Sequence, residues 1–315
     1  MQIIYQSEIK RLSPCVATVG FFDGLHAGHR FLIEELKSIA KTQNLQSVVI
    51  TFAIHPHKVL DSIYKPELLT TLQEKLIQLE TTGIDTCIVL DFSLEMAQLS
   101  AYEFLKTVLK EQFNVHTLLV GHDHRFGHNR TDGFPEYKKY GELLGMNVLQ
   151  CKQFNTDTDQ HISSSEIREA LKNGSIEQAN RLLTYEYTIT GRVVEGFKVG
   201  RTIGYPTANI ELSDPGKIIP AMGVYGVRVK WKNLQYKGML NIGNRPTLDN
   251  GQNTSIEVHI LDFNSDIYNE TLEIDFICKI RDEQKFKGIE ELKDQLQKDK
   301  LYVLNMKIDE SSRQI

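Results

Sequence analysis

Residues 15–41 read CVATVGFFDGLHAGHRFLIEELKSIAK, and the stretch from Gly20 to Arg30, GFFDGLHAGHR, decides how the first half of the chain folds. Cys15–Val19 is a short β-rich run, and Leu32, Ile33, Leu36, Ile39 and Ala40 then recur at helical spacing. A strand-to-helix turn needs one glycine at most, because only positive φ or close backbone contact demands a missing Cβ. Gly20, Gly24 and Gly28 leave backbone bare along most of the turn instead. Bare N–H groups at a helix N-terminus favour a phosphate chain. His26 and His29, on either side of Gly28, add two imidazole donors suited to charge that develops on a phosphate.

Outward from this junction the same alternation continues. Ser47–Phe52, Cys87–Asp91, His116–Gly121 and Met146–Cys151 are β-rich, and Leu68–Thr82, Ala101–Phe113 and Tyr137–Leu144 are helical in pattern. Strand and helix in alternation predict a parallel sheet with helices on both faces and ligands beyond the carboxyl ends of the strands. Two helical segments, Ser164–Asn173 and Ile176–Leu183, close this half. From Tyr185 the pattern changes to β-branched and aromatic runs: Tyr187–Val194, Val224–Trp231, Tyr236–Ile242, Ser255–Leu261 and Thr271–Ile280, with Gly, Asn and Pro between them. That spacing predicts a small antiparallel barrel, followed by a helix over Ile289–Asp299 reaching toward Met306. The expected domains are 1–184 and 185–315.

The totals narrow the function classes. A formal charge of −5 argues against a surface built for nucleic acid. Cys15, Cys87, Cys151 and Cys278 are scattered without metal or disulfide spacing, so buried free thiols are expected. The N-terminal MQIIYQSEIKRLSPC has no apolar leader core, and no later run is long enough to span a bilayer, which predicts a cytoplasmic protein without membrane partners.

Three further segments place His, Arg or hydroxyl groups at the edge where a parallel sheet gathers ligands: TFAIHPH at 51–57, GHDHRFG at 121–127 and ISSSEIR at 162–168. Ser163, Ser164 and Ser165 at a helix start, with Arg168 one turn inward, form a second candidate anion site. In this order GFFDGLHAGH, TFAIHPH, GHDHRFG and ISSSEIREAL resemble the adenylyltransferase half of the bacterial bifunctional riboflavin kinase/FMN adenylyltransferases, or FAD synthetases. The HxGH motif alone serves several acceptors: FMN, pantetheine phosphate, nicotinamide mononucleotide or a cytidylyl acceptor; the later segments favour FMN. The resemblance implies that His26 and His29 act on the ATP phosphates, that Gly20, Phe22, Asp23, Gly24 and Gly28 lie against ATP, and that Ser163, Ser164, Ser165 and Arg168 hold the triphosphate. Asp123, Arg125 and Phe126 would lie near flavin or adenine. Ala53-Ile54, Asp132 and Ser165 depart from the common pattern, the last keeping the hydroxyl.

GRVVEGFKVGRTIGYPTANI, 191–210, is the most specific stretch in the second half. Gly196, Gly200 and Gly204 with Lys198 and Arg201 suit a flap over a polyphosphate. Thr207 and Asn209 share a face if the piece is extended, and their oxygens suit a hard cation such as Mg²⁺. Glu257 and His259 share a face in IEVHILDF, 256–263, with the carboxylate expected on the inner or rim face, placed to take the proton of an attacking alcohol. These features, with PAMGVYGV at 220–227 and NIGNRPT at 241–247, resemble riboflavin kinase, which implies Glu257 as base and Arg281 and Phe286 near the flavin. Together the resemblances imply a cytoplasmic enzyme that phosphorylates riboflavin to FMN and adenylylates FMN to FAD with ATP and Mg²⁺. Two alternatives remain at this point: one activity with the other half a regulatory flavin-binding module, or a flavin-responsive nucleic-acid regulator.

Overall fold

The computed structural model describes residues 1–8, 12–61, 63–122, 124–128, 131–154, 162–196, 199–244 and 254–307. The chain divides into two compact units, Met1–Ser164 and Ser165–Ile315.

The first unit is built on a six-stranded sheet of β1 (Gln2–Tyr5), β2 (Cys15–Val19), β3 (Gln46–Phe52), β4 (Thr86–Leu90), β5 (Val115–Val120) and β6 (Asn147–Gln150), in the order β1-β4-β3-β2-β5-β6. Every neighbouring pair is parallel. Helices α1 (Ala27–Gln43), α2 (Pro56–Leu60), α3 (Leu72–Glu80), α4 (Leu94–Gln98), α5 (Ala101–Glu103) and α6 (Phe134–Leu144) fall between the strands. The four central strands β2, β3, β4 and β5 are buried on both faces, as parallel sheets require. Cys15, Ala17 and Val19 of β2 meet Leu105, Val108 and Leu109 on one side. Val16 meets Leu32, Ile33 and Leu36 of α1 on the other.

Two local features depart from the pattern read in the sequence. β1 is a four-residue edge strand with Ile3 and Tyr5 exposed, too short and too open to announce itself by periodicity. The helix expected over 101–113 is present, but from Phe104 to Gln112 it widens into π-helical turns. The chain runs β2, β3, β4 in one direction and then returns to β5 on the far side of β2. The sheet therefore has its switch point between β2 and β5, and the GFFDGLHAGHR turn leaves β2 at that crevice.

In the second unit α7 (Ser164–Lys172, whose first residue is the last of the first unit) and α8 (Ile176–Leu183) precede a closed barrel. Its strands are β7 (Thr188–Val194), β8 (Ala208–Leu212), β9 (Gly223–Trp231), β10 (Leu234–Asn244), β11 (Thr254–Ile260) and β12 (Thr271–Arg281), closed in the order β10-β11-β8-β7-β12-β9. All pairings are antiparallel. Between β7 and β8 the flap contains one helical turn, α9 (Val199–Thr202). Helix α10 (Ile289–Asn305) packs Val303 with Met239 of β10, and Lys237 donates to the carbonyls of Leu304 and Met306 at 2.7 Å each, capping its end.

All four cysteines are free and buried, as expected. Burial pushes Cys15, Cys87 and Cys151 up to about 12, so these thiols are inert. No helix among the described residues is long and apolar enough to cross a membrane.

Candidate active sites

The turn after β2 is a strained piece of backbone held from several sides. Phe22, Gly24 and Leu25 take φ of 54°, 77° and 34°. Asp23 is 4 % exposed, and its carboxylate accepts from Leu69 N (3.0 and 3.1 Å), Thr70 N (3.0 Å) and Thr70 Oγ1 (3.3 Å), while Thr70 Oγ1 accepts from Gly24 N at 3.1 Å. The Asp23 carbonyl accepts from Ser164 Oγ at 3.0 Å. Phe22 is buried beneath the site, its ring edge-on to His29 at 5.2 Å. Asp23 and Phe22 thus sit in the turn as its supports, and what they offer outward is backbone.

His26 is the N-cap of α1, its Nδ1 accepting from His29 N at 3.4 Å. A ring that accepts at Nδ1 carries its proton on Nε2, which is therefore a donor. The rings of His26 and His29 stack at 3.7 Å, 18° from parallel. A side chain at Gly28 would press against the His26 ring at 3.3 Å, so the helix start stays open. His29 Nδ1 is enclosed without a hydrogen-bond partner among the described residues. Burial, and then the charges of His26, His124 and Lys75, hold His29 well below the usual imidazole range. It is a neutral group at pH 7.

Two of these neighbours were not singled out in the sequence. His124, in GHDHRFG beyond β5, reaches the electrostatic range of His29 across the switch point. Lys75 lies in α3 and is 2 % exposed; its Nζ donates to the carbonyls of Phe21 (3.0 Å) and Phe52 (2.9 Å). Leu72, Lys75, Leu76 and Leu79 fall at i, i+3, i+4, i+7, so the apolar stripe itself places Lys75 in a core position.

The other expected first-unit residues are distributed as follows. Phe126 stacks on Tyr137 at 4.2 Å, and the Tyr137 hydroxyl bonds Phe126 N and O and Asp132 O. Arg125 is exposed. Gly127 has φ 92°, and a side chain there would meet the Ala101 backbone at 2.6 Å. Ser163 and Ser164 are half-buried at the start of α7; Ser165, exposed, and Arg168 belong to the second unit. Asp123 and Lys198 lie outside the described residues.

In the second unit β11 brings the kinase motifs together. Glu257 pairs in register with Asn209 on β8 and with Asn241 on β10, a residue not singled out in the sequence. Thr207 Oγ1 donates to Glu257 Oε2 at 3.2 Å. Ile256, Val258 and Ile260 are buried in alternation, so Glu257 and His259 face outward and the carboxylate does not point into the barrel interior, one of the two places expected of it. Directly paired residues share a face, so this is also the side on which Met239, opposite His259, meets α10. His259 donates from Nδ1 to the Pro206 carbonyl at 2.8 Å and sits edge-on to Tyr205.

The glycine flap is shaped by contacts a side chain would break. A methyl at Gly196 would collide with the Asn209 amide, and one at Gly200 with the Tyr205 carbonyl oxygen. Gly204 has φ 87°. Beside the flap lies a cleft of about 510 Å³, with Arg201, Pro206 and Thr207 on one wall and Phe263, Asp266 and Tyr268 on another. Arg281 is held by Asp299 of α10, Nε and Nη2 reaching its carboxylate at 2.9–3.2 Å, and lies 5.7 Å from the Phe286 ring centroid. No cluster of three His, Cys, Asp or Glu side chains able to hold a metal occurs among the described residues. Thr207, Asn209 and Glu257 offer a small set of hard oxygen donors, which suits Mg²⁺ that keeps waters and phosphate oxygens as its other ligands.

Known proteins match along both units. The family described as FAD synthetase matches residues 8–166, and that described as riboflavin kinase matches residues 183–306. The chain is 38% identical to the bifunctional riboflavin kinase/FMN adenylyltransferase of Haemophilus influenzae, over 91% of this chain and 92% of the relative. It is 39% identical to that of Listeria monocytogenes, over 90% of each, and 37% identical to that of Escherichia coli, over 91% of each. A crystal structure described as a macrolide-efflux protein from Streptococcus pneumoniae shares the fold, with TM-score 0.88 and 33% identity over 98% of this chain and 100% of that one.

Proposed function

We propose a division of labour within a chain that belongs to the family of bifunctional riboflavin kinase/FMN adenylyltransferases. The enzyme phosphorylates riboflavin to FMN and adenylylates FMN to FAD, with ATP as co-substrate in both steps. Residues 1–184 are assigned to adenylyl transfer and 185–315 to the kinase, and the enzyme is assigned to the cytoplasm.

In adenylyl transfer the attacking FMN phosphate is already ionised and needs no base; the reaction needs stabilisation of charge on the α-phosphate and departing pyrophosphate. His26, whose Nε2 carries the proton, and neutral His29 supply donors over the start of α1. Gly20, Gly24 and Gly28 keep the backbone accessible, and Ser163, Ser164, Ser165 and Arg168 bind phosphate oxygens. Arg125 and Phe126, with Asp123, lie toward the flavin or adenine.

In the kinase half the attacking group is an alcohol, and Glu257 takes its proton. The observation that carries this assignment is the meeting of Glu257 with Thr207 at 3.2 Å and with Asn209 in register, three motif residues from two separate segments on one outward face. Thr207 and Asn209 hold Mg²⁺, which neutralises phosphate charge when bound. Arg201, Lys198 and the glycines of the flap cover the phosphates, and the adjoining cleft has the size of a nucleotide site. Arg281 and Phe286 border the flavin, with Arg281 oriented by Asp299.

The test is chromatography of flavins after incubation with riboflavin, ATP and Mg²⁺. FMN appears first and FAD second. FMN that accumulates without FAD, or riboflavin that stays unchanged while supplied FMN is consumed, would overturn one half of the assignment and identify which.

A further inference from the structure

We propose that Lys75 is a positioning residue for adenylyl transfer: its enclosed ammonium clamps the carbonyls of Phe21 and Phe52 and so holds the turn that presents His26 and His29 to ATP. The proposal rests on the reading of that turn as the ATP phosphate site.

The placement is unusual for a lysine. Nothing of its side chain reaches solvent appreciably, and no carboxylate lies within ion-pair distance of it among the described residues. Its Nζ sits 4.1 Å over the Phe21 ring. An enclosed cation without a salt-bridge partner is costly, and a methionine or leucine would complete the stripe of Leu72, Leu76 and Leu79 more cheaply. What the cation provides is a bridge between two adjacent parallel strands at their ligand-facing ends. Phe52 ends β3, and Phe21 stands two residues beyond β2. The Phe21 carbonyl also accepts from Thr51 Oγ1 at 3.1 Å, and the Phe21 ring meets His55 edge-on at 4.7 Å. The clamp therefore ties GFFDGLHAGHR to TFAIHPH.

The charge has a second effect. The groups that face it are Asp23 of the turn, Cys87 of β4 and His29 of α1. Burial brings Lys75 down to about 8, with Asp23 and then Cys87 opposing the fall, so at pH 7 it stays an ammonium. A cation there disfavours a second one on His29. The turn thus rests on a fixed positive charge, which adds to burial, His26 and His124 in keeping His29 neutral.

The experiment uses the full-length protein and the variants Lys75→Met and His29→Ala, assayed for FMN to FAD and riboflavin to FMN between pH 6 and 9.5, with thermal unfolding of each preparation. In Lys75→Met, kcat for FAD formation falls by about 10- to 100-fold, the cost of a misplaced reacting geometry, while KM for FMN moves less and the kinase rate is kept. In the parent, kcat/KM for ATP declines as pH rises through about 8, where the ammonium is lost. In Lys75→Met the residual rate is flat there. Folded Lys75→Met with FAD formation within threefold of the parent overturns the proposal. So does a parent profile without a decline between pH 7 and 9.5, a result that stands even if Lys75→Met does not fold. His29→Ala with parental FAD formation removes the ATP-site reading itself, a different failure from either.

Discussion

Asp23→Asn separates support from ligand contact in the adenylyl-transfer turn. The buried carboxylate accepts from the N–H groups of Leu69 and Thr70 and from the Thr70 hydroxyl at 3.0–3.3 Å. Hydrogen bonds to a charged acceptor are worth about 1 kcal/mol more than neutral ones, so amidation costs roughly 3 kcal/mol even if every contact survives in shape. In a unit of this size that lowers its unfolding midpoint by about 6–12 °C. Asp23 also supports the Lys75 charge. Without it Lys75 loses its proton below pH 8, and the alkaline decline in kcat/KM for ATP moves to lower pH. Calorimetry of the full-length protein and the adenylyl pH profile measure both, with the kinase rate as the unchanged reference. An unfolding midpoint within 2 °C of the parent, combined with a hundredfold loss of FAD formation, would refute the reasoning and make the carboxylate a direct ligand.

Glu257→Gln keeps shape and removes the basic oxygen, so FMN formation falls by about 10²–10⁴ while supplied FMN still becomes FAD; separate assays of the two steps check it. Gly200→Ala drives a methyl into the Tyr205 carbonyl and forces the flap open, lowering kinase turnover at least about tenfold at fixed Mg²⁺ without touching FAD formation. His29 has a depressed folded pKa, so below about pH 6.5 the unfolded chain binds the extra proton and the first unit loses stability as pH falls. Urea midpoints at pH 7.5 and 5.5 measure this, and His29→Gln narrows the difference between them.

Much of this was legible because spacing carries it. The strand-helix alternation, the three glycines around His26 and His29, and the run of short strands from Tyr187 each follow from local rules. Thr207, Asn209 and Glu257 were named before the barrel brought them together. The roles of Asp23 and Phe22 were not legible, since a turn residue aimed inward and one aimed at a ligand have the same letter; only the bonds to Leu69 and Thr70 distinguish them. His124 enters the field of His29 through strand order, which no single motif encodes. Lys75 was hidden by expectation: a lone lysine in a helix reads as solvated, although its place in the Leu72–Leu79 stripe said otherwise. The outward direction of Glu257 followed from which alternate residues the barrel buries, a fact settled by closure and not by alternation alone.

Because Glu257, Asn209 and Asn241 stand on the outward face of a closed barrel, the groups assigned to the chemistry and the residues that fill the interior occupy alternate positions, and the interior meets the site where Val193, Ala208, Val258 and Ile260 line the cleft. Ile242 opposite Ile256 and Leu240 opposite Val258 pack it with aliphatic side chains, beside the buried ring of Tyr225, which stands opposite Leu240. Enzymes whose reactive groups line their core must trade rigidity against turnover at the same positions. Here the two demands fall on alternate residues of the same strands. Facing aliphatic pairs such as Ile242 and Ile256 can exchange volume without touching the cleft, whereas Val258 and Ile260 line it and the odd-numbered register of β11 carries Glu257. Thermal adaptation of such a kinase can proceed through its filling without renegotiating its catalytic surface.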